Sequence, residues 1–196
     1  MRIAMQREIR RDGQRGTTLI ELMIAMLVLA IGFGGVTTLL ITAIVSNNRN
    51  SRDTTATLLA QKVLEETSGQ NVYSDTAVTV TDCAGHLWSF ATAPGAVGTG
   101  TGATLKADKT IDFTEPYANI PAGYAMQYTG CSSQGGLQTI YDVRWNVMRI
   151  STNTLAGTRL IIAAARPMAS DVTKLGGFYY AKPVTLWGIG GPNIGE

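Results

Sequence analysis

The chain has 196 residues, of which 45% are hydrophobic, and a formal net charge of +2 at pH 7. This length allows one globular domain and a long additional element. The charge is uneven, because residues 1–16 carry a net +3 while residues 49–196 contain 11 basic and 11 acidic side chains. The larger part of the chain lacks the basic excess that nucleic-acid binding needs, so no nucleic-acid partner is predicted.

The only charge in residues 17–48 is Glu21. A charged side chain within a bilayer is unfavourable by about 2.5–3.5 kcal/mol on insertion scales, so such residues tend to be functional and paired. Nothing in residues 22–48 can neutralise this carboxylate. We therefore expect its partner to be an N-terminal amine or a group on another chain.

Residues 22–48 predict a helix of roughly 40 Å. This is longer than the bilayer core of about 30 Å, so the helix can span a membrane. A cleavable secretory signal has a shorter apolar core and a small-residue cleavage site, which Ile41-Thr42-Ala43 does not provide. A lipoprotein would need a cysteine soon after the apolar run, and the first is Cys83. The span is therefore expected to be retained, and the arginines before it predict a cytoplasmic N terminus.

The helix is predicted to continue from Thr17 to about Thr67, because residues 49–67 lack proline and glycine. Apolar residues at positions 56, 59, 60, 63 and 64 form one stripe at helical spacing, and Gly69 is a plausible stop. Gly32, Gly34 and Gly35 interrupt the apolar run. They fit either a close helix–helix contact or a point of helix flexibility.

The rest of the chain predicts β-structure, so the fold class is α+β: a long N-terminal helix packed on a small antiparallel sheet. Residues 141–147 alternate between apolar and polar types, and with residues 159–165 they predict a hairpin. Residues 78–81, 124–128 and 184–187 are weaker strand candidates. Residues 93–103 are interpreted as an exposed loop, and little regular structure is expected in residues 188–196.

Cys83 and Cys131 favour a disulfide over a metal site, with two free buried thiols as the alternative. His86 is the single histidine, and no metal-ligand cluster or catalytic triad accompanies it, so no metal, cofactor or enzymatic activity is predicted. The glycine-rich residues 98–103 lack the flanking strand and helix of a phosphate loop. The larger aromatic residues are interpreted as packing rather than ligand-binding groups; they are Tyr141, Trp145, Tyr179, Tyr180 and Trp187.

The N terminus carries a family resemblance. Gly16 follows a short basic leader and precedes Thr17-Thr-Leu-Ile-Glu-Leu-Met-Ile and the long uncharged helix. This arrangement resembles the type IV pilins and pseudopilins over residues 1–45. Residues 60–66 and the 141–147 hairpin also resemble, more weakly, minor pilins of the PilV type.

The resemblance implies that prepilin peptidase cleaves between Gly16 and Thr17 and N-methylates Thr17. Residues 1–16 would be the cleaved leader, residues 17–68 the long helix with 17–45 in the membrane or filament core, and residues 69–196 a periplasmic or extracellular head. Glu21 would pair with the N-terminal amine of a neighbouring subunit. The implied partners are major and minor pilins, the peptidase, the inner-membrane assembly platform and, before assembly, the lipid bilayer.

Two residues depart from the family pattern. Thr17 stands where phenylalanine is usual, which affects methylation more than cleavage. Thr38 stands where major pilins often carry proline, so Gly32, Gly34 and Gly35 would supply the flexibility, and a minor component fits better than a major one.

Three functions follow as hypotheses. The first is a minor type IV pilin of the bacterial inner membrane and then the pilus, favoured by a mature length of about 180 residues. The second is a minor pseudopilin of a type II secretion or DNA-uptake machine. The third is a signal-anchored periplasmic binding domain or enzyme.

Overall fold

The computed structural model describes residues 17–70, 78–131, 139–150, 157–168 and 182–191. This part of the chain contains a long helix, seven strands and a 3-10 turn at Tyr117–Asn119. The helix α1 spans Leu19–Gly69, and the strands are β1 Val78–Thr81, β2 Leu87–Phe90, β3 Thr101–Gly102, β4 Ala125–Thr129, β5 Ile140–Arg149, β6 Arg159–Pro167 and β7 Val184–Gly190. The chain divides into two compact units, residues 1–46 and 47–196. The predicted α+β class is confirmed.

Within the second unit, α1 buries one face. Ala56, Leu59, Ala60, Val63 and Thr67 are its buried residues. The first four belong to the predicted apolar stripe, and the fifth member of that stripe, Leu64, is partly buried against the core. The four apolar members join the core formed with the sheet. A Cβ placed on Gly188 of β7 would lie 3.2 Å from Leu64 Cδ2, so the absence of a side chain there lets the helix approach this strand.

The main sheet is antiparallel and is built around the β5–β6 hairpin. Its order is β3-β5-β6-β7, and β4 also pairs with β5. The hairpin register runs from Tyr141 opposite Pro167 to Arg149 opposite Arg159. The hairpin prediction is therefore confirmed, with strands a few residues longer than the alternation alone indicated.

Both faces of β5 are buried, including the face that carries its polar side chains. Asp142, Arg144 and Asn146 are each 2–3% exposed. A segment between β2 and β4 covers them and supplies acceptors. Arg144 Nη1 donates to the carbonyl of Glu115 at 2.8 Å, and Asn146 Nδ2 donates to the carbonyl of Ala103 at 2.9 Å. The polar alternation of β5 thus marks hydrogen-bonded buried groups rather than a solvated face.

The interpretation of residues 93–103 as an exposed loop is wrong at its C-terminal end. Thr101 and Gly102 form β3 and pair with Val147 and Asn146 of β5, and Ala103 is fully buried. Gly102 has φ 118°, and a Cβ there would lie 2.3 Å from the carbonyl oxygen of Trp145. The small residues that resemble a flexible loop are what allow this segment to lie directly on β5.

Two further expectations need correction. Residues 188–190 are not irregular, because β7 continues to Gly190. Trp187 is 54% exposed and so is not a packing residue, whereas Tyr141 and Trp145 are buried. Tyr179, Tyr180 and residues 192–196 lie outside the described residues. The strand β2 was not predicted.

Arg159 closes the C-terminal end of α1. It is fully buried, and its Nη2 donates to the carbonyls of Thr67 and, at 2.6 Å, Gln70. Its Nη1 donates to the carbonyl of Thr92 at 3.3 Å. The last four carbonyls of a helix lack intrahelical partners, so this guanidinium satisfies groups that would otherwise be buried without a donor. Burial lowers the pKa of Arg159 from its ordinary value.

We expect Arg159→Met to destabilise the second unit by at least about 2 kcal/mol, because the buried carbonyls lose their donor. The measurement is the urea midpoint of the detergent-solubilised chain followed by tryptophan fluorescence. Arg149→Met is the matched control, since Arg149 is the register partner of Arg159 and is exposed. Equal midpoints for the two variants would contradict a stabilising role for Arg159.

Candidate functional site

The residues before and within the first turn of α1 form the first candidate site. Thr18 occupies the N-cap position: its carbonyl accepts the N–H of Glu21 at 3.1 Å and that of Leu22 at 3.2 Å. The N–H of Glu21 is also 3.4 Å from Thr18 Oγ1. Glu21 therefore lies where the helix dipole favours a negative charge. Thr17 is exposed at the start of the described chain, and Gly16 lies outside the described residues.

Glu21 is surrounded along the chain by exposed apolar side chains. All described residues from 17 to 52 are exposed, including Leu19 at 76% and Leu22 at 54%. The helix is long and apolar enough to cross a membrane by length and composition. Among the described residues Glu21 forms no ion pair, so within them its carboxylate lacks the cation that an apolar environment would require.

The three glycines of the apolar segment have open space around the position that a side chain would take. A Cβ on Gly32, Gly34 or Gly35 would meet nothing within 4 Å. Thr37 and Thr38 follow them, and their hydroxyls donate to the carbonyls four residues earlier, at 2.8 and 3.0 Å. These hydroxyls are satisfied within the helix and suit an apolar medium. The glycines remain compatible with a helix contact or with flexibility.

Asp82, after β1, is the most heavily hydrogen-bonded carboxylate in the described chain. Its side chain is fully buried. Oδ1 accepts the N–H groups of Ala84 at 3.0 Å and His86 at 2.8 Å. Oδ2 is 3.1 Å from His86 Nδ1 and accepts Trp88 Nε1 at 3.3 Å and the Thr129 N–H at 3.2 Å. Burial alone raises the pKa of Asp82, but these hydrogen bonds outweigh it and hold the pKa well below its ordinary range.

We expect acid to weaken the fold through Asp82. Because its folded-state pKa is depressed, its contribution is complete above about pH 4, the unfolded value, and is lost as the pH falls below it. Asp82→Asn should lower the urea midpoint near neutral pH and reduce its dependence on pH below about 4. If the urea midpoint depended on pH equally in Asp82→Asn and in the unchanged chain, this expectation would be contradicted. Some slope should remain, because hydrogen bonds from Thr110 and Thr114 lower the pKa of Asp108 and Asp112.

A disulfide joins Cys83 to Cys131, whose Cα atoms are 5.2 Å apart and whose sequence separation is 48. It connects the turn between β1 and β2 to the residues just after β4. In the chain-entropy model, this bond stabilises the fold by about 4 kcal/mol, because it restricts the unfolded chain.

A second polar cluster, which was not predicted from the sequence, lies on the face of the main sheet that carries Asp142, Arg144 and Asn146. We call this the outer face of the sheet. The guanidinium of Arg144 donates to both oxygens of Asp142 at 2.9 Å, and Arg166 Nη2 donates to Asp142 Oδ2 at 3.2 Å. The guanidinium carbons of the two arginines lie 5.1 and 4.6 Å from the Phe113 ring centroid. These contacts fix the covering segment to the sheet and leave no group positioned as an acid, base or nucleophile. Opposite charges two residues apart on one strand were the available signal.

No cluster typical of an enzyme is formed by the described residues. They contain no group of three or more metal-ligating side chains. A shallow pocket of about 200 Å³ is lined by Leu87, Trp88, Tyr117, Pro121 and neighbours, without a nucleophile–base pair. The His86 side chain is 66% exposed and contacts Asp82, so it lies at the surface as part of a structural network.

Comparison with known proteins gives one positive result. Residues 11–37 match the family model described as the prokaryotic N-terminal methylation motif. No curated protein and no solved structure matches the chain. The motif and the α+β fold support a type IV pilin-like or pseudopilin-like protein of the kind processed by prepilin peptidase. They point to a structural subunit with an apolar membrane anchor rather than to an enzyme.

Proposed function

We propose that the chain is a minor type IV pilin that takes part in pilus initiation and assembly. Prepilin peptidase would cut between Gly16 and Thr17 and methylate the new N terminus. Residues 17–45 would lie in the inner membrane and later in the filament core. Residues 69–196 would form a periplasmic head that reaches the cell surface in the pilus.

The observation that carries the proposal is the position of Glu21. It lies in the first turn of an exposed apolar helix, a few residues after the proposed cut, with no cationic partner in the described chain. Cleavage would create an α-ammonium at Thr17. The corresponding amine of a neighbouring subunit would neutralise Glu21 once helices pack together. Insertion, cleavage and pairing would then occur in that order.

Mature pilins would be the partners of this helix, and the bilayer would hold it before assembly. The inner-membrane platform would mediate the transfer. Gly32, Gly34 and Gly35, where an added Cβ would meet nothing within 4 Å, would allow tight packing or local bending in the filament. Thr38 in place of the frequent proline supports a minor rather than a major subunit.

The proposal is tested by isolating sheared filaments and the inner membrane from the same cells. We expect a mature chain beginning with methylated Thr17 by mass spectrometry and sparse immunogold labelling of pili. An N terminus at Met1 would overturn the whole proposal. A processed chain that is confined to the cell envelope and required for secretion or DNA uptake would overturn the pilus assignment in favour of a minor pseudopilin.

A further inference from the structure

Two strand ends meet beside the disulfide, and backbone contacts join them independently of the sulfur atoms. Cys83 donates its N–H to the carbonyl of Thr129 at 3.2 Å. Thr129 donates its own N–H to Asp82 Oδ2, also at 3.2 Å. The backbone N–H of Thr129 is therefore bound by Asp82, and its carbonyl is bound by Cys83. Cys131 follows two positions later.

The Asp82 carboxylate also fixes the shape of the turn that carries Cys83. It accepts N–H groups from Ala84 and His86, on the far side of the cysteine, while the Asp82 N–H donates to the His86 carbonyl at 2.9 Å. Trp88, on β2, adds its indole N–H. A carboxylate that binds both its own turn and a strand 47 residues away can hold the turn in place before any covalent bond exists.

We propose that Asp82 is a positioning residue for disulfide formation, holding Cys83 against the end of β4 so that it meets Cys131. The network belongs to the reduced, folded chain as well as to the oxidised one. It raises the effective concentration of the two thiols and makes the correct bridge the favoured product.

The reaction itself is ordinary thiol–disulfide exchange with an external disulfide oxidant, such as oxidised glutathione. One cysteine thiolate attacks the oxidant, forms a mixed disulfide and releases one glutathione thiolate. The second cysteine thiolate then displaces the other glutathione. Two protein thiols lose two electrons and their protons, and one oxidised glutathione becomes two reduced glutathiones. Asp82 takes no part in these bond changes.

The test uses the full-length chain in detergent micelles, reduced without denaturant and then equilibrated in glutathione redox buffers. Thiol trapping and mass spectrometry give the effective concentration of the Cys83–Cys131 pair. Asp82→Asn should lower it by about tenfold or more, because the amide presents N–H groups to donors that need an acceptor. In Asp108→Asn, the carboxylate that is replaced accepts hydrogen bonds from Thr110 of its own turn, and the effective concentration should stay within about twofold of that of the unchanged chain. In concentrated urea the effective concentration of the cysteine pair should be the same in all three chains.

Ile161→Val, a substitution in the fully buried part of β6, serves as a control for a general loss of stability. If Ile161→Val lowers the effective concentration as much as Asp82→Asn at equal loss of stability, the positioning role is overturned. No change with Asp82→Asn would overturn it as well.

A second measurement does not depend on oxidation. In a Cys83→Ser/Cys131→Ser chain, the Trp88 indole N–H should keep its chemical shift and its protection from hydrogen exchange. Loss of both would show that the disulfide holds the network, which is the opposite of the proposal.

Discussion

A Gly16→Phe chain is expected to accumulate in the membrane as an unprocessed precursor. The proposed cut follows Gly16, and a peptidase pocket that accepts a residue without a side chain has no space for a phenyl ring. Misplacing a scissile bond by about 1 Å can slow a reaction about a hundredfold, so mature product should fall by at least that order. Immunoblotting and intact-mass measurement of the membrane fraction distinguish the precursor from the mature chain.

The proposed leader, residues 1–16, provides its own control for this experiment. Gly13 lies three residues earlier in the same basic segment, so Gly13→Phe adds the same bulk away from the bond. We expect Gly13→Phe to be inserted and processed like the unchanged chain. Normal-sized product from Gly16→Phe would contradict the assigned cleavage site, whatever Gly13→Phe does.

The elements with a strong local period were predictable from sequence. The second half of α1 carries apolar residues at helical spacing because one face packs on a sheet. The β5–β6 hairpin was visible because β5 alternates residue types at period two. Both signals are local, so their positions were found to within a few residues.

The segment that covers the outer face of the sheet was not predictable in the same way. Its interpretation as a loop followed from composition, because Gly, Ala and Thr are typical of exposed turns. Its actual position depends on Arg144 and Asn146, which donate to carbonyls 29 and 43 residues away in sequence. No local pattern contains such a pairing, and the alternation of residue types in β5 is the same for a solvated polar face as for a buried one.

The same distinction between local and long-range signals applies to the candidate sites. Glu21 could be found from sequence because a single charge in an apolar run is anomalous wherever the chain folds. Arg159 and Asp82 could not, because their roles arise from partners 92 and 47 residues away in sequence. In sequence each is an ordinary charged residue beside a strand, and only the fold gives it buried partners.

We expect Glu21→Ala to leave cleavage at Gly16 largely intact but to reduce incorporation into filaments by at least about a hundredfold. The proposed processing acts on residues 1–16 and on the bond after Gly16, which this substitution does not touch. Assembly would bring the neighbour's N-terminal amine into an apolar environment, where removing one partner of an ion pair typically costs about 3–5 kcal/mol. Quantitative immunoblotting of sheared filaments, divided by the mature chain in the membrane, measures the effect.

Glu21→Gln distinguishes the effect of the side chain's charge from the effect of its shape in this experiment. The amide keeps the length and hydrogen-bonding capacity of the side chain but not its charge, so it should fail nearly as completely as alanine. Glu65→Gln removes a carboxylate from an exposed position of the same helix, where its described side-chain partner is Gln61 at 2.8 Å, and should incorporate normally. Normal incorporation of Glu21→Gln would mean that a hydrogen bond suffices and that no buried ion pair forms. Normal incorporation of Glu21→Ala would mean that Glu21 is dispensable for assembly, and the pairing proposed for it would have to be abandoned.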